Sequence, residues 1–277
     1  MPPRLPAILT AAALAVTTAV LSPASPATAD TTDISPPGAN DWSCKPTAEH
    51  PEPVVLVHGT FETMAKNWPT LSPKLKSEGY CVFALNYGGN AMGPIAQSAK
   101  ELKSFVGAVM GATGARKVDL VGHSQGGMMP RYYIKYLGGA TQVDDLVGIV
   151  PSNHGTEGVI APTPELESGE NSACPACDEQ QAGSEFLTDL NAKDETPAGP
   201  YYTVVTTRYD EVVTPYTSAF LDGSDREVTN ITLQDRCPLN TIEHDQTPND
   251  PVVHQWVLNA LERKGPADPA FVPSCVG

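Results

Sequence analysis

Val118-Asp119-Leu120-Val121-Gly122-His123-Ser124-Gln125-Gly126-Gly127 is the stretch that decides how this chain folds. Val118 to Val121 form a short apolar run of the kind that makes a buried strand. A helix-period pattern follows from about Gly126 to Leu137 and closes at Gly138-Gly139. Between strand and helix stands Gly-x-Ser-x-Gly. A serine on such a turn takes a strained backbone conformation that exposes its hydroxyl, and the flanking glycines let strand and helix approach closely. A plain Gly-rich turn would share the composition but would not require a strand before it and a helix after it. The pattern marks Ser124 as a nucleophile.

Other apolar runs of four to six residues lie at Val54 to Val57, Cys81 to Leu85, Leu146 to Val150, Tyr202 to Thr206 and Val228 to Leu233. Continuous runs, as opposed to alternating ones, imply parallel strands covered on both faces. Helical stretches separate them. One places Ile95, Ala99, Leu102, Phe105, Val106 and Val109 on a single face and closes at Gly111 and Gly114. The last has Asp250 as cap and Pro251 at its first position, with Val253, Val257, Ala260 and Leu261 turned inward. The alternation predicts one doubly wound α/β domain whose site is built by loops at the carboxyl ends of the strands. Residues 151–200 break the rhythm: they are rich in Pro, Gly and acidic residues, with one short helical pattern near Ser184 to Leu190. They read as a lid or binding-loop region, in which Phe186, Leu187 and Leu190 could cover an apolar pocket.

A hydroxyl is a weak nucleophile at neutral pH, so Ser124 needs a base, and the base needs a carboxylate to hold its tautomer. After such an elbow the acid and then the histidine follow in chain order. His50, His58, His123 and His154 come too early, leaving His244 in a loop after the last strand and His254 inside the last helix; the loop position favours His244. Asp210 follows the strand run Tyr202 to Thr206 and is the preferred acid, with Glu211, Asp222, Asp225 and Asp194 as alternatives. The oxyanion of a tetrahedral intermediate needs donors oriented in advance. The amide of Gln125, at a helix start, supplies one. The loop His58-Gly59-Thr60-Phe61 supplies the other, from Thr60 or, alternatively, Phe61.

The 277 residues carry a formal net charge of −15, with no cluster of Lys and Arg, which argues against nucleic acid and anionic membrane surfaces as partners. Residues 1–29 read as a signal peptide: Arg4, an apolar run from Leu5 to Leu21 ended by Pro23 and Pro26, and a small-residue site Ala27-Thr28-Ala29. Residues 30–277 are then the mature, secreted domain, without an integral membrane anchor. Six cysteines, Cys44, Cys81, Cys174, Cys177, Cys237 and Cys275, all follow the cleavage site, and an even count in an exported chain implies three disulfides. Cys174-Pro175-Ala176-Cys177 lacks the strand-then-helix setting of a redox motif and a second ligand pair for zinc, so it reads as a local staple.

Together these residues resemble the secreted bacterial class 2 triacylglycerol lipases of the α/β-hydrolase superfamily and, more distantly, fungal lipase B. The landmarks are His58-Gly59-Thr60, Gly122 to Gly127, Thr207-Arg208-Tyr209-Asp210-Glu211-Val212-Val213-Thr214-Pro215, and Cys237-Pro238 before Glu243-His244. The resemblance implies a carboxylic ester hydrolase acting on lipid-like or other apolar esters. It implies Ser124, Asp210 and His244 as triad and Thr60 and Gln125 as oxyanion hole. It further implies Cys44 paired with Cys81, Cys237 with Cys275 and so Cys174 with Cys177, and no cofactor. A polyester or small-ester hydrolase would use the same residues, and an inactive scaffold that only binds is the remaining alternative.

Overall fold

A computed structural model describes residues 34–158 and 173–276, together with Met1. The chain divides into two units, Met1–Asp30 and Thr31–Gly277, and the fold is that of the second. The expected signal peptide, and residues 159–172 of the expected lid, lie outside the described residues.

All six apolar runs become strands of one parallel sheet: β1 (Val54–Val57), β2 (Val82–Leu85), β3 (Val118–His123), β4 (Val143–Ile149), β5 (Tyr201–Thr206) and β6 (Val228–Thr232), in the order β2-β1-β3-β4-β5-β6. Apart from exposed Asn230 on edge strand β6 and half-buried strand starts at Asp144 and Tyr201, the strands are buried on both faces, because successive side chains point opposite ways and helices cover both sides. Val55, Val57, Phe83 and Leu120 pack on one face with Leu102 of α4 (Ile95–Thr113) and with Met128 and Tyr133 of α5 (Gln125–Tyr136). Val54, Leu56, Val121 and Val147 pack on the other with Trp68, with Leu71 and Leu75 of α2 (Leu71–Ser77), and with Val253 and Trp256 of α8 (Pro251–Leu261). Burial of this kind contributes roughly 1.5–3 kcal/mol for each large apolar side chain.

Local signals fix the helix ends. Asp250 accepts from the amides of Val252 and Val253 at 2.7 and 3.1 Å, capping α8 ahead of Pro251. Gly114 ends α4 in the left-handed conformation, at φ 80°. Two short elements, α1 (Met64–Asn67) and α3 (Gly88–Ala91), line the loops after β1 and β2. Because β2 lies on one side of β1 and β3 on the other, the loops leaving β1 and β3 part from each other at the carboxyl edge. That divergence opens a crevice where side chains from both can meet.

The described part of 151–200 differs from a loosely packed loop. It holds two helices, α6 (Pro175–Glu179) and α7 (Glu185–Asn191), and buries Cys174, Ala176, Cys177, Leu187 and Leu190 in the core. Pro175 at the first helical position and Ser184 as cap of α7, accepting from Leu187 N at 3.2 Å, explain the two starts. α6 is tied to its neighbours: Ala176 N donates to Met92 O at 3.1 Å, and Ile95 N donates to Glu179 Oε2 at 2.7 Å. Phe186 stacks on Tyr132 of α5, with ring centroids 5.7 Å apart. Disulfides join Cys44 to Cys81, Cys174 to Cys177 and Cys237 to Cys275.

Candidate active site

Ser124 stands between β3 and α5 at φ 54°, ψ −125°, a conformation few L residues adopt. The turn is held from two sides: Ser124 N donates to Ile149 O of β4 at 2.9 Å, and Gly127 N donates to Ser124 O at 2.9 Å. A Cβ at position 122 would lie 1.8 Å from Gly126 O, and one at 126 would lie 2.1 Å from Val57 O. No side chain fits either place, which is the physical content of the two glycines. α5 starts at Gln125, so its first amides have no partner within the helix and face the end where Ser124 sits.

Asp210 and His244 come together from loops 34 residues apart. His244 Nδ1 lies 2.9 Å from both carboxylate oxygens of Asp210, and Asp210 Oδ1 also accepts from the amides of Val212 and Val213 at 2.9 and 2.7 Å. A carboxylate only accepts, so Nδ1 carries the proton, and in the neutral ring Nε2 keeps its lone pair. Both residues are buried.

The other candidates separate cleanly. Glu211, Asp222, Asp225 and Asp194 are exposed. His254 lies within α8, its Nε2 donates to Pro248 O at 2.8 Å, and burial lowers its pKa, so it is a packed helix residue. His58 stacks on Tyr87 with centroids 4.5 Å apart, and burial pushes its pKa down to about 4. His154 donates to Glu195 Oε1 at 2.9 Å, and that hydrogen bond raises its pKa.

Three residues given no role by the sequence reading, His123 inside the elbow among them, complete the surroundings. His123 Nε2 faces His244 O at 3.2 Å, and its Nδ1 faces Asn67 Oδ1 at 3.2 Å, an oxygen that also accepts from Gly59 N at 2.8 Å. Burial, and then the nearby His244, hold the pKa of His123 well below its ordinary value. With one proton for two acceptors, the ring donates to only one of them at a time and sits between the segment of Asn67 and that of His244. Gln180 donates through Nε2 to Thr60 Oγ1 at 3.0 Å from the far side.

Thr60, Phe61, Ser124, Gln180, Val213 and His244 all line one cavity of about 370 Å³. Of residues 151–200, only Ser152 and Gln180 among the described residues reach it. Phe186 instead borders a separate groove of about 1090 Å³, with Tyr132 and Tyr136 of α5, which holds neither Ser124 nor His244. Size therefore does not single out the cavity in which Ser124 and His244 meet. At the opposite, amino end of the sheet Asp119, Asp144 and Asp145 gather with carboxylate oxygens within 4.8 Å of one another, and Lys117 pairs with Asp144 at 2.7 Å. These three carboxylates are the described residues that could hold a cation.

No described helix is long and apolar enough to cross a membrane. Triacylglycerol lipases of Pseudarthrobacter phenanthrenivorans and Burkholderia plantarii are each 39% identical over 87 residues, 29% of this chain and 27% and 24% of theirs. The chain thus spans about a quarter of the length of these curated relatives. Aspergillus fumigatus lipase B shares the fold with a TM-score of 0.71 at 23% identity, covering 85% of this chain and 57% of that one. A Bacillus licheniformis lipase in mature form has a TM-score of 0.54 at 16% identity, with 68% and 85% covered. The profile described as Lipase (class 2) matches residues 51–257, most of the chain and every residue of the candidate site, and so this chain belongs to the class 2 lipase family.

Proposed function

We propose that the chain is a secreted serine hydrolase that cleaves carboxylic esters of apolar, lipid-like acids through Ser124, His244 and Asp210. The observation that carries this reading is the convergence of a strained serine and an aspartate-held histidine on one cavity. Ser124 Oγ attacks the ester carbonyl carbon as His244 Nε2 takes its proton. The carbonyl electron pair moves onto oxygen, where the amides of Gln125 and Thr60 meet it. His244 then passes the proton to the departing alcohol as the C–O bond breaks, leaving an acyl-serine. Water, deprotonated by the same nitrogen, releases the acid and restores the serine. Asp210 stays ionised throughout and stabilises the imidazolium.

Phe61, Val212 and Val213 give the cavity apolar walls suited to an acyl chain. Secretion of residues 30–277 after removal of 1–29, as one catalytic domain, is consistent with three disulfides and no free cysteine among the described residues. The test uses purified protein and p-nitrophenyl esters of increasing acyl length. Ser124→Ala should lose several orders of magnitude in kcat with unchanged melting, His244→Ala should match that loss in kcat, and a fluorophosphonate should label Ser124 and no other residue. Substantial turnover by folded Ser124→Ala would overturn the assignment.

A further inference from the structure

The hydroxyl of Thr60 is surrounded in a way that decides where its hydrogen points. Gln125 Nε2 lies 2.9 Å from Thr60 Oγ1 and Gln180 Nε2 lies 3.0 Å from it. The orientation of each amide is fixed by a backbone carbonyl, which can only accept: Gln125 Nε2 also donates to Ala91 O at 2.8 Å, and Gln180 Nε2 to Ala176 O at 3.0 Å. Flipping either amide would set two oxygens against each other at the carbonyl. Ser152 Oγ, donating to Gln180 Oε1 at 2.7 Å, agrees with the same orientation. Two amide hydrogens therefore occupy both lone pairs of Thr60 Oγ1. Its own hydrogen has only the remaining direction, and Thr60 lines the cavity that holds Ser124.

We propose that Gln180 is a positioning residue for ester cleavage: it holds the Thr60 hydroxyl as a donor toward the oxyanion formed at Ser124. The inference rests on the reading of Ser124 as nucleophile. Gln180 is itself held. It is almost wholly buried, its amide donates to Ala176 O at 3.1 Å and its carbonyl accepts from Thr156 N at 3.1 Å. It caps the end of α6, the helix begun by the Cys174–Cys177 bridge. α6 thereby contributes to the chemistry although no group on it touches the reacting atoms. A donor pinned before the reaction needs no reorganisation when charge develops, whereas a hydroxyl free to rotate spends part of its time pointing elsewhere.

Gln180→Glu tests this, because it replaces the donating nitrogen with an accepting oxygen at nearly constant shape and pulls the Thr60 hydrogen away from the cavity. Its kcat should fall about 10²-fold, the usual cost of one oxyanion donor, with KM changed less than about threefold. The deficit relative to wild type should shrink as pH falls and the new carboxyl is protonated. Gln180→Met, of similar volume, frees the hydroxyl to rotate, should cost less, and keeps the test open if the glutamate disturbs folding; melting curves check both. In a Thr60→Val background, which has no hydroxyl to aim, neither substitution should reduce kcat further. Equal losses in the Thr60 and Thr60→Val backgrounds would overturn the proposal, as would a loss confined to KM. Ser124→Ala run in parallel separates the two failures. If it stays active, the nucleophile is misassigned; if it is inactive and the Gln180 losses are additive, only the positioning role falls.

Discussion

Two sets of buried aspartates sit at opposite ends of the same sheet and are treated in opposite ways. At the carboxyl end Asp210 receives two backbone amides and the Nδ1 proton of His244. At the amino end Asp119 accepts a single amide, that of Asp145 at 3.2 Å, and Asp145 Oδ1 has no hydrogen-bond partner. Burial and then mutual repulsion hold Asp119 well above the usual carboxylate range. Burial, with Asp144 and Glu52 nearby, pushes Asp145 up to about 8. All three side chains are similarly shielded from water, so burial alone does not make a working acid. What matters is whether the fold supplies donors to the charged form. One end of the sheet surrounds its aspartate with hydrogen-bond donors, and the other holds carboxyls that folding disfavours in their charged form.

The largest effect that would sharpen this contrast is on catalysis. Asp210→Asn keeps the shape but replaces an acceptor with a donor facing Nδ1, which favours the wrong tautomer of His244. We expect kcat to fall about 10³- to 10⁴-fold in a folded protein. A loss below tenfold would mean that the charge of Asp210 is not what its partners are arranged to keep.

Next comes stability at the amino end. A carboxyl whose pKa is higher folded than unfolded contributes stability that is full below the unfolded value, near 3.8, and is lost as pH rises toward the folded value. Asp145→Asn removes that dependence. The variant should gain on wild type steadily between about pH 4 and 8, reaching at least about 1 kcal/mol at pH 8 in urea melts. A difference that stays flat over this range would show that Asp145 ionises as freely as a surface carboxylate, and the contrast between the two ends would collapse.

The smallest effect concerns the two late histidines. His254→Asn should leave kcat within about twofold and cost about 1 kcal/mol of stability, since only the hydrogen bond to Pro248 O and some packing are lost. Because burial lowers its pKa, His254 contributes stability above its unfolded value, near 6.5, that is lost as pH falls. The stability cost should therefore narrow in acid. A kcat loss rivalling that of His244→Ala would reassign the base.

Much of this was legible because it is local. The strands were readable since four to six consecutive apolar residues can be buried on both faces only in a covered parallel sheet. Ser124 was readable because close contact of strand and helix demands glycine at 122 and 126. Asp210 and His244, chosen from chain order and from their places after strands, lie 2.9 Å apart in the structure. The short helices were harder: α1 and α6 span 4 and 5 residues, less than two turns, too few to show a period. The proline that starts α6 was nonetheless a usable signal. Phe186, read from a short helical pattern as a cover for an apolar pocket, stacks on Tyr132 and borders a groove apart from the cavity that holds Ser124.

By itself, then, the sequence determined the covered parallel sheet, the elbow and the residue types that chemistry requires, because each follows from backbone sterics or apolar runs within a few residues. Only the tertiary structure decided which polar groups meet. Gln180 reaches Thr60 across 120 residues, and His123 comes to rest between Asn67 of α1 and the His244 carbonyl, 56 and 121 residues away. It likewise decided that Asp210 is given donors while Asp145 Oδ1 is left without one. Such pairings depend on where separate loops come to rest on the sheet, and hydrogen bonds act only within about 3 Å, a distance that no spacing along the chain encodes.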